Sequence, residues 1–489
     1  MARISKKRQQ ATEKLLEALG TRKVKLEGDA KYMASFDSLK LAFAYDALVI
    51  ARSEKDVGAT LQLANEFRVP VTTRGAGTSL TGSAAPAKGG WVLDVSNLNR
   101  IKIEKTKSMA IVGPGAVVGQ IQAAAEELGL FYPPDPSSLK YSTIGGNIAC
   151  NAGGMRCAKY GVTRDFVLAL EGFLPTGEKV SWGGEYKKFA TGYNIRDLWI
   201  GSEGTLGVVT KAVLRLLPKP EKKWTILVAF DSDLKALQAV QKLLGDGHNP
   251  SILEFLDSNS VYCAEEIAGV KLFKGLSLKP LLLVEFDGNA AQLRADKKKA
   301  IEWAKATGLA YREARTEKET EVLWSARRAC SPAMFSMGDS KINEDIVVPL
   351  ESQAKFARFL KQMQKKWKIN APTFGHAADG NFHVNIMYTR SDKEECKRAK
   401  GAVADLMKKV CELGGTISGE HGIGLAKTPF MTVARNEAEI GAMKAIKKAL
   451  DPKGILNPGK IFEPYEVWDK ALEKVKLPWD KKPIAKKES

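Results

Sequence analysis

Four histidines occur in 489 residues, and three of them fall in two short glycine-rich segments. These are Gly375-His376-Ala377-Ala378-Asp379-Gly380-Asn381-Phe382-His383-Val384-Asn385 and Ser418-Gly419-Glu420-His421-Gly422-Ile423-Gly424. Ala-Asp-Gly-Asn is a turn signal, so His376 is expected to end one strand while His383 and Asn385, two apart in the next, share a face. One site can receive all three, which makes Asn385 a candidate catalytic residue beside the imidazoles. The second segment offers a carboxylate next to an imidazole on a glycine-flanked loop, a backbone that can deliver both groups to a cleft. Two imidazoles and a carboxylate suit a divalent ion of the zinc or manganese type with open positions, and one His is left over as a proton acceptor near neutral pH. His376, His383 and Glu420 therefore read as ligands and His421 as the base. Two alternatives stay open: hydrogen-bonded polar residues in a metal-free cleft, and a hydrolytic zinc enzyme, although the chain lacks H-E-x-x-H.

Three further segments are rich in small residues. Arg74-Gly75-Ala76-Gly77-Thr78-Ser79-Leu80-Thr81-Gly82 departs from a Rossmann fingerprint, because the third glycine position is Leu80 and a strand-like run, Trp91 to Val95, comes next. Its glycines still let backbone N–H groups approach a phosphate closely, and Thr78, Ser79 and Thr81 add hydroxyls, so it reads as a pyrophosphate cradle. A plain glycine-rich hairpin loop is the alternative. The second group is Pro133-Pro134-Asp135-Pro136-Ser137-Ser138, then Thr143-Ile144-Gly145-Gly146-Asn147-Ile148-Ala149-Cys150-Asn151-Ala152-Gly153-Gly154, then Tyr160-Gly161. These segments are expected to make poor element interiors, and their paired glycines would let the backbone run against a flat ligand such as a flavin ring. The third, Gly201-Ser202-Glu203-Gly204-Thr205-Leu206-Gly207, leads into the strand-like Val208-Val209-Thr210. Jointly the three loops point to one extended ligand.

Holding such loops requires strands and helices whose ends carry them. Ala47 to Ile50 form a short apolar run, and Ser53-Glu54-Lys55-Asp56 is a capping-box pattern. Val57, Leu61, Ala64 and Phe67 recur at three and four residues, which predicts a helix that stops at Val69-Pro70 before a second strand, Val71 to Thr73. That is a β-α-β start. After Pro218-Lys219-Pro220 the texture changes to strand-like runs, Ile226 to Phe230 and Leu281 to Phe286, alternating with amphipathic helices. The expected organisation is a helical lead-in over 1–45, a first domain over 46–217, a second over 218–445, a turn-rich closing segment over 446–465, and a basic, mobile tail over 466–489. Arg327 and Arg328 follow Leu323-Trp324, and one of them is a candidate for pairing bidentately with a carboxylate, a solvated helix face being the alternative.

Composition bounds the function. With 44% apolar and 27% charged residues the chain is globular, sized for two or three domains, and neither disordered nor fibrous. A net charge of +19 favours anionic substrates, acidic partners, anionic membrane surfaces or nucleic acid. Part of it sits in Arg3, Lys6, Lys7 and Arg8 and in Lys474, Lys476, Lys481, Lys482, Lys486 and Lys487, read as solvated ends. Lys361, Lys365, Lys366 and Lys368 read as a solvated helix face, since only Trp367 is interleaved as a stacking aromatic, and no nucleic-acid partner is expected. Six cysteines without a C-x-x-C imply reduced thiols and neither an iron–sulfur cluster nor a cysteine-type zinc site. No stretch approaches the roughly 18 apolar residues of a membrane span. A cytoplasmic protein is expected, with peripheral contact on the inner face of a membrane as a variant.

From about residue 40 to 465 the chain resembles the FAD-linked 2-hydroxyacid dehydrogenases, which include D-lactate dehydrogenases, the flavin subunit of glycolate oxidase and D-2-hydroxyglutarate dehydrogenase. The resemblance rests on Arg74–Gly82, Pro133–Ser138, Thr143–Gly154, Gly201–Gly207, the two histidine segments and Leu456-Asn457-Pro458-Gly459-Lys460, in the family's order. It implies an α+β fold: a two-subdomain FAD-binding domain of the vanillyl-alcohol-oxidase (PCMH) type, and an α+β substrate-binding cap whose tail returns to the flavin. It implies that the first two loops, with Tyr160, Gly161 and Asn457, hold the pyrophosphate and isoalloxazine, and that Gly201–Gly207 and Val208 help bind the adenosine half. Gly75-Ala76-Gly77 lacks the His that often anchors flavin covalently in such proteins, so non-covalent FAD follows. His376, His383 and Glu420 match the family's divalent-metal ligands, His421 its base and Arg327 its carboxylate-binding arginine. Members acting on the longer dicarboxylate place a Lys shortly before Asp-x-x-x-Pro, whereas here Asn343 stands at that spacing from Asp345 and Pro349, with Lys341 two residues earlier. That tilts the expectation toward a short monocarboxylate.

The activity so implied is oxidation of a D-2-hydroxy acid, D-lactate favoured, to the 2-oxo acid by hydride transfer to flavin. With no cluster or haem signature in the chain, electrons are expected to leave to an external acceptor: a quinone, a cytochrome, an electron-transfer flavoprotein or an iron–sulfur partner subunit. Glycolate oxidase flavin subunit and D-2-hydroxyglutarate dehydrogenase are the alternatives within the family. A flavin lyase or synthase and a basic RNA- or lipid-binding protein on the same scaffold are the alternatives outside it.

Overall fold

The computed structural model describes residues 5–480 apart from 270, 274, 277 and 469. The capping box forms: the Ser53 side chain accepts from the Asp56 N–H, and the Asp56 carboxylate accepts from the Ser53 N–H at 3.0 Å. Helix Glu54–Phe67 starts there, buries Val57, Leu61 and Ala64, and ends where Arg68 takes a left-handed φ of 57° ahead of Val69-Pro70. The strands on either side, Ala47–Ile50 and Val71–Arg74, both run parallel to Trp91–Asp94, which is the β-α-β start read from the pattern. Val24–Lys25 adds an antiparallel edge next to Ala47–Ile50. A second, antiparallel sheet of the same unit has the order Ile101–Glu104, Met109–Val112, Val208–Arg215, Val167–Phe173, Lys179–Gly183. Trp91, Leu61, Phe173, Val208 and Leu456 share one apolar core, which joins the two sheets and the closing segment.

The chain divides into two compact units. The first holds the residues up to Gly153, Gly161–Lys219 and Glu420–Trp479, and the second holds Gly154–Tyr160 and Pro220–Gly419. The second is built on a seven-stranded antiparallel sheet in the order Ala310–Glu313, Lys222–Ala229, Leu281–Gly288, Ile252–Leu256, Thr373–His376, Asn381–Tyr388, Ser340–Val347. Helices Gln353–Trp367 and Lys393–Glu412 pack together over one part of it.

Three expectations about organisation differ from what is seen. The second unit closes at Gly419 rather than near 445, because the loop after it is hydrogen-bonded to the cradle loop, with the Leu425 and Ala426 N–H groups both on the Thr81 carbonyl. The stretch after 465 is not a free tail as far as it is described: Val467 and Leu477 are buried and the Trp479 indole donates to Ser38 at 2.7 Å. Arg8 is tied to Asp46 at 2.7 Å, whereas Lys6, Lys7, Lys474 and Lys476 are exposed. Arg3, Lys481, Lys482, Lys486 and Lys487 lie outside the described residues. Among the described residues no helix is long and apolar enough to cross a membrane.

Candidate active site

In the second unit the antiparallel register sets Glu254 opposite His376, and Phe374 opposite His383. Adjacent strands therefore bring both imidazoles to one place, with ring centroids 5.3 Å apart and planes at 88°. His376 Nδ1 lies 2.5 Å from one Glu254 oxygen, and Arg327 Nε lies 2.5 Å from the other. Glu254 is fully buried. Burial alone would push its carboxyl up, but the Arg327 guanidinium and the His376 imidazole overcome that and hold it down at about 2. A carboxylate on Nδ1 is the arrangement in which an acid orients a metal-binding imidazole.

Arg327 leaves helix Glu317–Ala333 and lays its guanidinium 4.4 Å from the centroid of Phe374. Its Nε is committed to Glu254, while its two terminal nitrogens make no hydrogen bond among the described residues, although the side chain is only 13% exposed. A guanidinium with one edge fixed and the other open is suited to a bidentate carboxylate. Arg328 points to the exposed Glu321 instead. Of the two arginines, the half-buried Arg327 is the candidate.

Asn385 shares the face of His383, as its spacing predicted, but its amide is spent inside the sheet. It accepts from Asn343 Nδ2 at 2.8 Å and donates to the carbonyls of His383 and Pro372 at 3.0 and 3.3 Å. The cross-strand pairing of Asn343 with Asn385 explains this. Asp345 lies 3.9 Å from His383 Nδ1 and accepts from Asn381 Nδ2 at 2.6 Å and from the Gly419 N–H at 2.9 Å. It thus holds the chain immediately before Glu420 and His421. Glu254 and Asp345 were both missed as site residues. Glu254 left a signal, a lone acid in the apolar strand Ile252–Leu256, since an unpaired buried charge is costly, whereas Asp345 stands beside Glu344 in the polar strand Ser340–Val347 and left none so clear.

The small-residue loops meet in the first unit. A Cβ on Gly75 would fall 2.2 Å from Thr143 Oγ1, so the first loop touches the second only because residue 75 has no side chain. The Arg74 guanidinium is turned away to the Phe36 and Met33 carbonyls at 2.6 and 3.2 Å and staples the loop from below. Ala76, Thr78 and Ser79 are half-buried along it, Gly77 turns over Arg74, and Gly82 faces Leu39 and Leu425. Contrary to the expectation of an irregular segment, Ile144–Cys150 is a helix, because Gly145 packs against Pro114 too closely for a side chain and Asn151 ends it in a left-handed φ of 51°. Gly146 and Asn147 lie on its first turns. Thr143 Oγ1 and Asn147 Nδ2 are buried and have no hydrogen-bond partner among the described residues. Pro134, Asp135 and Gly153 are buried and Ser138 is half-buried, with the Pro134 carbonyl held by Gln122 at 2.9 Å.

Unpartnered buried donors beside a side-chain-free cradle fit a large polar cofactor. The third loop behaves differently. Gly207 gives way to the Trp199 ring, Val208 starts a central strand, and the Glu203 carboxylate accepts from Ser83 and from the Ile423 and Gly424 N–H groups rather than standing open. Asn457 Nδ2 bridges the carbonyls of Ser83 and Glu203 at 2.8 and 2.7 Å. Tyr160 lies apart from these loops. With Gly154 it belongs to the second unit, where its hydroxyl donates to Asp287 at 2.8 Å, while Gly161 returns to the first.

Such a cradle, with its two-sheet first unit, has the fold of the PCMH-type FAD-binding proteins. The chain matches the FAD binding domain over residues 45–183 and the C-terminal domain of FAD linked oxidases over 219–461. It is 41% identical over 420 residues to the glycolate oxidase subunit GlcD of Bacillus subtilis, spanning 85% of this chain and 89% of that one. It is 35% identical to a D-lactate dehydrogenase of Anaerostipes hadrus, over 85% of this chain and 89% of that one. A solved p-cresol methylhydroxylase superposes with a TM-score of 0.79 at 18% identity, covering 95% of this chain and 98% of the other. The chain belongs to the FAD-linked oxidoreductases of the GlcD and D-lactate dehydrogenase family, and it is an enzyme.

Proposed function

We propose that the protein oxidises a short D-2-hydroxy acid, D-lactate favoured, to the 2-oxo acid and passes the electrons to an external acceptor. The observation that carries this reading is the open edge of the half-buried Arg327, held by the same Glu254 carboxylate that orients His376. Arg327 binds the substrate carboxylate. His376, His383 and Glu420 would hold a divalent ion, and Asp345 keeps the backbone before Glu420 in place. His421 takes the proton of the C2 hydroxyl. FAD, held without a covalent bond by the loops Arg74–Gly82 and Thr143–Gly154, would supply an acceptor for the C2 hydride, and the ion would supply positive charge beside the hydroxyl. Asn343, which a dicarboxylate-specific site would replace with a cation, is turned to Asn385, and this supports a monocarboxylate. The GlcD relative makes glycolate the second candidate substrate.

Anaerobic mixing of the FAD-loaded protein with D-lactate, L-lactate, glycolate, D-2-hydroxybutyrate and D-2-hydroxyglutarate tests the reading. Rapid bleaching of the flavin's visible band is expected with D-lactate, more slowly with glycolate. An unchanged spectrum with every acid would overturn it.

A further inference from the structure

Glu203 is a left-handed residue, φ 53°, between Gly201 and Gly204, which are also at positive φ. Non-glycine residues adopt that conformation at some cost, and here it aims a carboxylate inward, where it is 5% exposed. One oxygen accepts from the Ile423 N–H at 2.7 Å; the other accepts from the Gly424 N–H at 2.8 Å and the Ser83 hydroxyl at 2.6 Å. Burial pushes its carboxyl up, while Ser83 and the two amides pull it back. Its own backbone is fixed as well: its N–H donates to the Ala149 carbonyl at 2.8 Å and its carbonyl accepts from Asn457 at 2.7 Å. On the other side of the same turn, the Thr81 hydroxyl donates to the His421 carbonyl at 3.3 Å, and the Thr81 carbonyl takes the Leu425 N–H at 2.7 Å. Gly422 passes so close that a Cβ there would lie 3.0 Å from the Glu203 carboxylate. The turn carrying Glu420 and His421 is thus gripped from its C-terminal side by two successive N–H groups on one buried carboxylate.

We propose that Glu203 is the positioning residue of the His421 turn, setting where the base stands, and is not a residue that binds the cofactor. The proposal rests on the reading of His421 as the base. A carboxylate holding adjacent amides leaves the turn little freedom to slide, and misplacing a base by about 1 Å costs rate far more than binding.

The test uses the full chain loaded with FAD, with Glu203→Gln as the first variant, because its amide NH2 meets an N–H or hydroxyl donor. FAD content and the apparent substrate dissociation constant are expected to stay near wild type. The limiting rate of flavin reduction by D-lactate should fall about 10- to 100-fold. Hydrogen exchange of the Ile423 and Gly424 amides should speed up, and Glu203→Asp should recover part of both losses. Gly422→Ala strains the same turn from the opposite side, so it serves if Glu203→Gln does not fold, and it should show the same loss of limiting rate. Unchanged exchange at Ile423 and Gly424 together with loss of FAD would overturn the proposal, as would an unchanged limiting rate in a folded variant. If wild-type protein reduces with no hydroxy acid, the base assignment fails, and the exchange result alone then judges the clamp.

Discussion

His376 Nδ1 sits 2.5 Å from Glu254, and the same carboxylate holds Arg327 Nε at 2.5 Å, so one buried acid aligns an imidazole and a guanidinium at once. Replacing it with an amide removes the charge that both partners need. In Glu254→Gln, retention of a zinc or manganese ion against a chelator should weaken by about 10- to 100-fold. KM for D-lactate should rise in the same variant. Elemental analysis after graded chelation measures the first, and steady-state kinetics the second.

Arg327 offers a planar fork that lysine cannot imitate. Arg327→Lys keeps one charge but loses the fixed edge on Glu254 and the paired donors, so KM should rise by roughly 10- to 100-fold, the value of hydrogen bonds to a charged group. The limiting rate should change less. Steady-state kinetics with D-lactate and glycolate separates the two effects.

Gly75 and Thr143 define how closely the first two loops approach. Gly75→Ala would place a methyl group 2.2 Å from Thr143 Oγ1, far inside contact distance, and the loops must part. Thr143→Val removes only the unpartnered hydroxyl. FAD affinity should fall in both, by about tenfold or less for Thr143→Val and by more for Gly75→Ala. The ratio of flavin to protein absorbance after gel filtration reads it directly.

Asp257 caps helix Ser258–Ala268 and accepts the Thr373 N–H at 2.9 Å, beside a small cavity shared with Asp233, Lys361 and Gln364. Burial, then the neighbouring Asp233, pushes its carboxyl up to about 7. An acid raised in the folded state holds its proton more tightly there than when unfolded. Its stabilising contribution is therefore complete below the unfolded value near 4 and is lost as pH rises through about 7. The stability advantage of wild type over the non-titrating Asp257→Asn should shrink by about 3 kcal/mol between pH 5 and pH 8. Urea unfolding of both proteins at the two pH values measures it.

Much of the frame was legible because local signals agreed with the tertiary fold. The Ser53 box, the spacing of Val57, Leu61 and Ala64, and the turn between His376 and His383 each specify an element without long-range information. The histidine pair was legible for the same reason, being two strand positions joined by one turn. What escaped depends on pairing between distant strands. Glu254 meets His376 only because Ile252–Leu256 lies beside Thr373–His376, more than a hundred residues later, and Asn343 silences the Asn385 amide from across the sheet. Glu203 and Arg74 sit in glycine-rich loops where composition marks a ligand site but not which side chains turn away from it. Ile144–Cys150 misled because glycine lowers helix propensity, yet Gly145 is needed for contact with Pro114.

The most direct measurement is anaerobic reduction of the bound flavin by D-lactate carrying deuterium at C2, compared with unlabelled D-lactate. The proposed chemistry breaks that bond as the flavin bleaches, so the limiting rate should fall several-fold with the labelled acid, and His421→Ala should not bleach at all while keeping FAD. Equal rates for the two acids, or undiminished bleaching in His421→Ala, would contradict it.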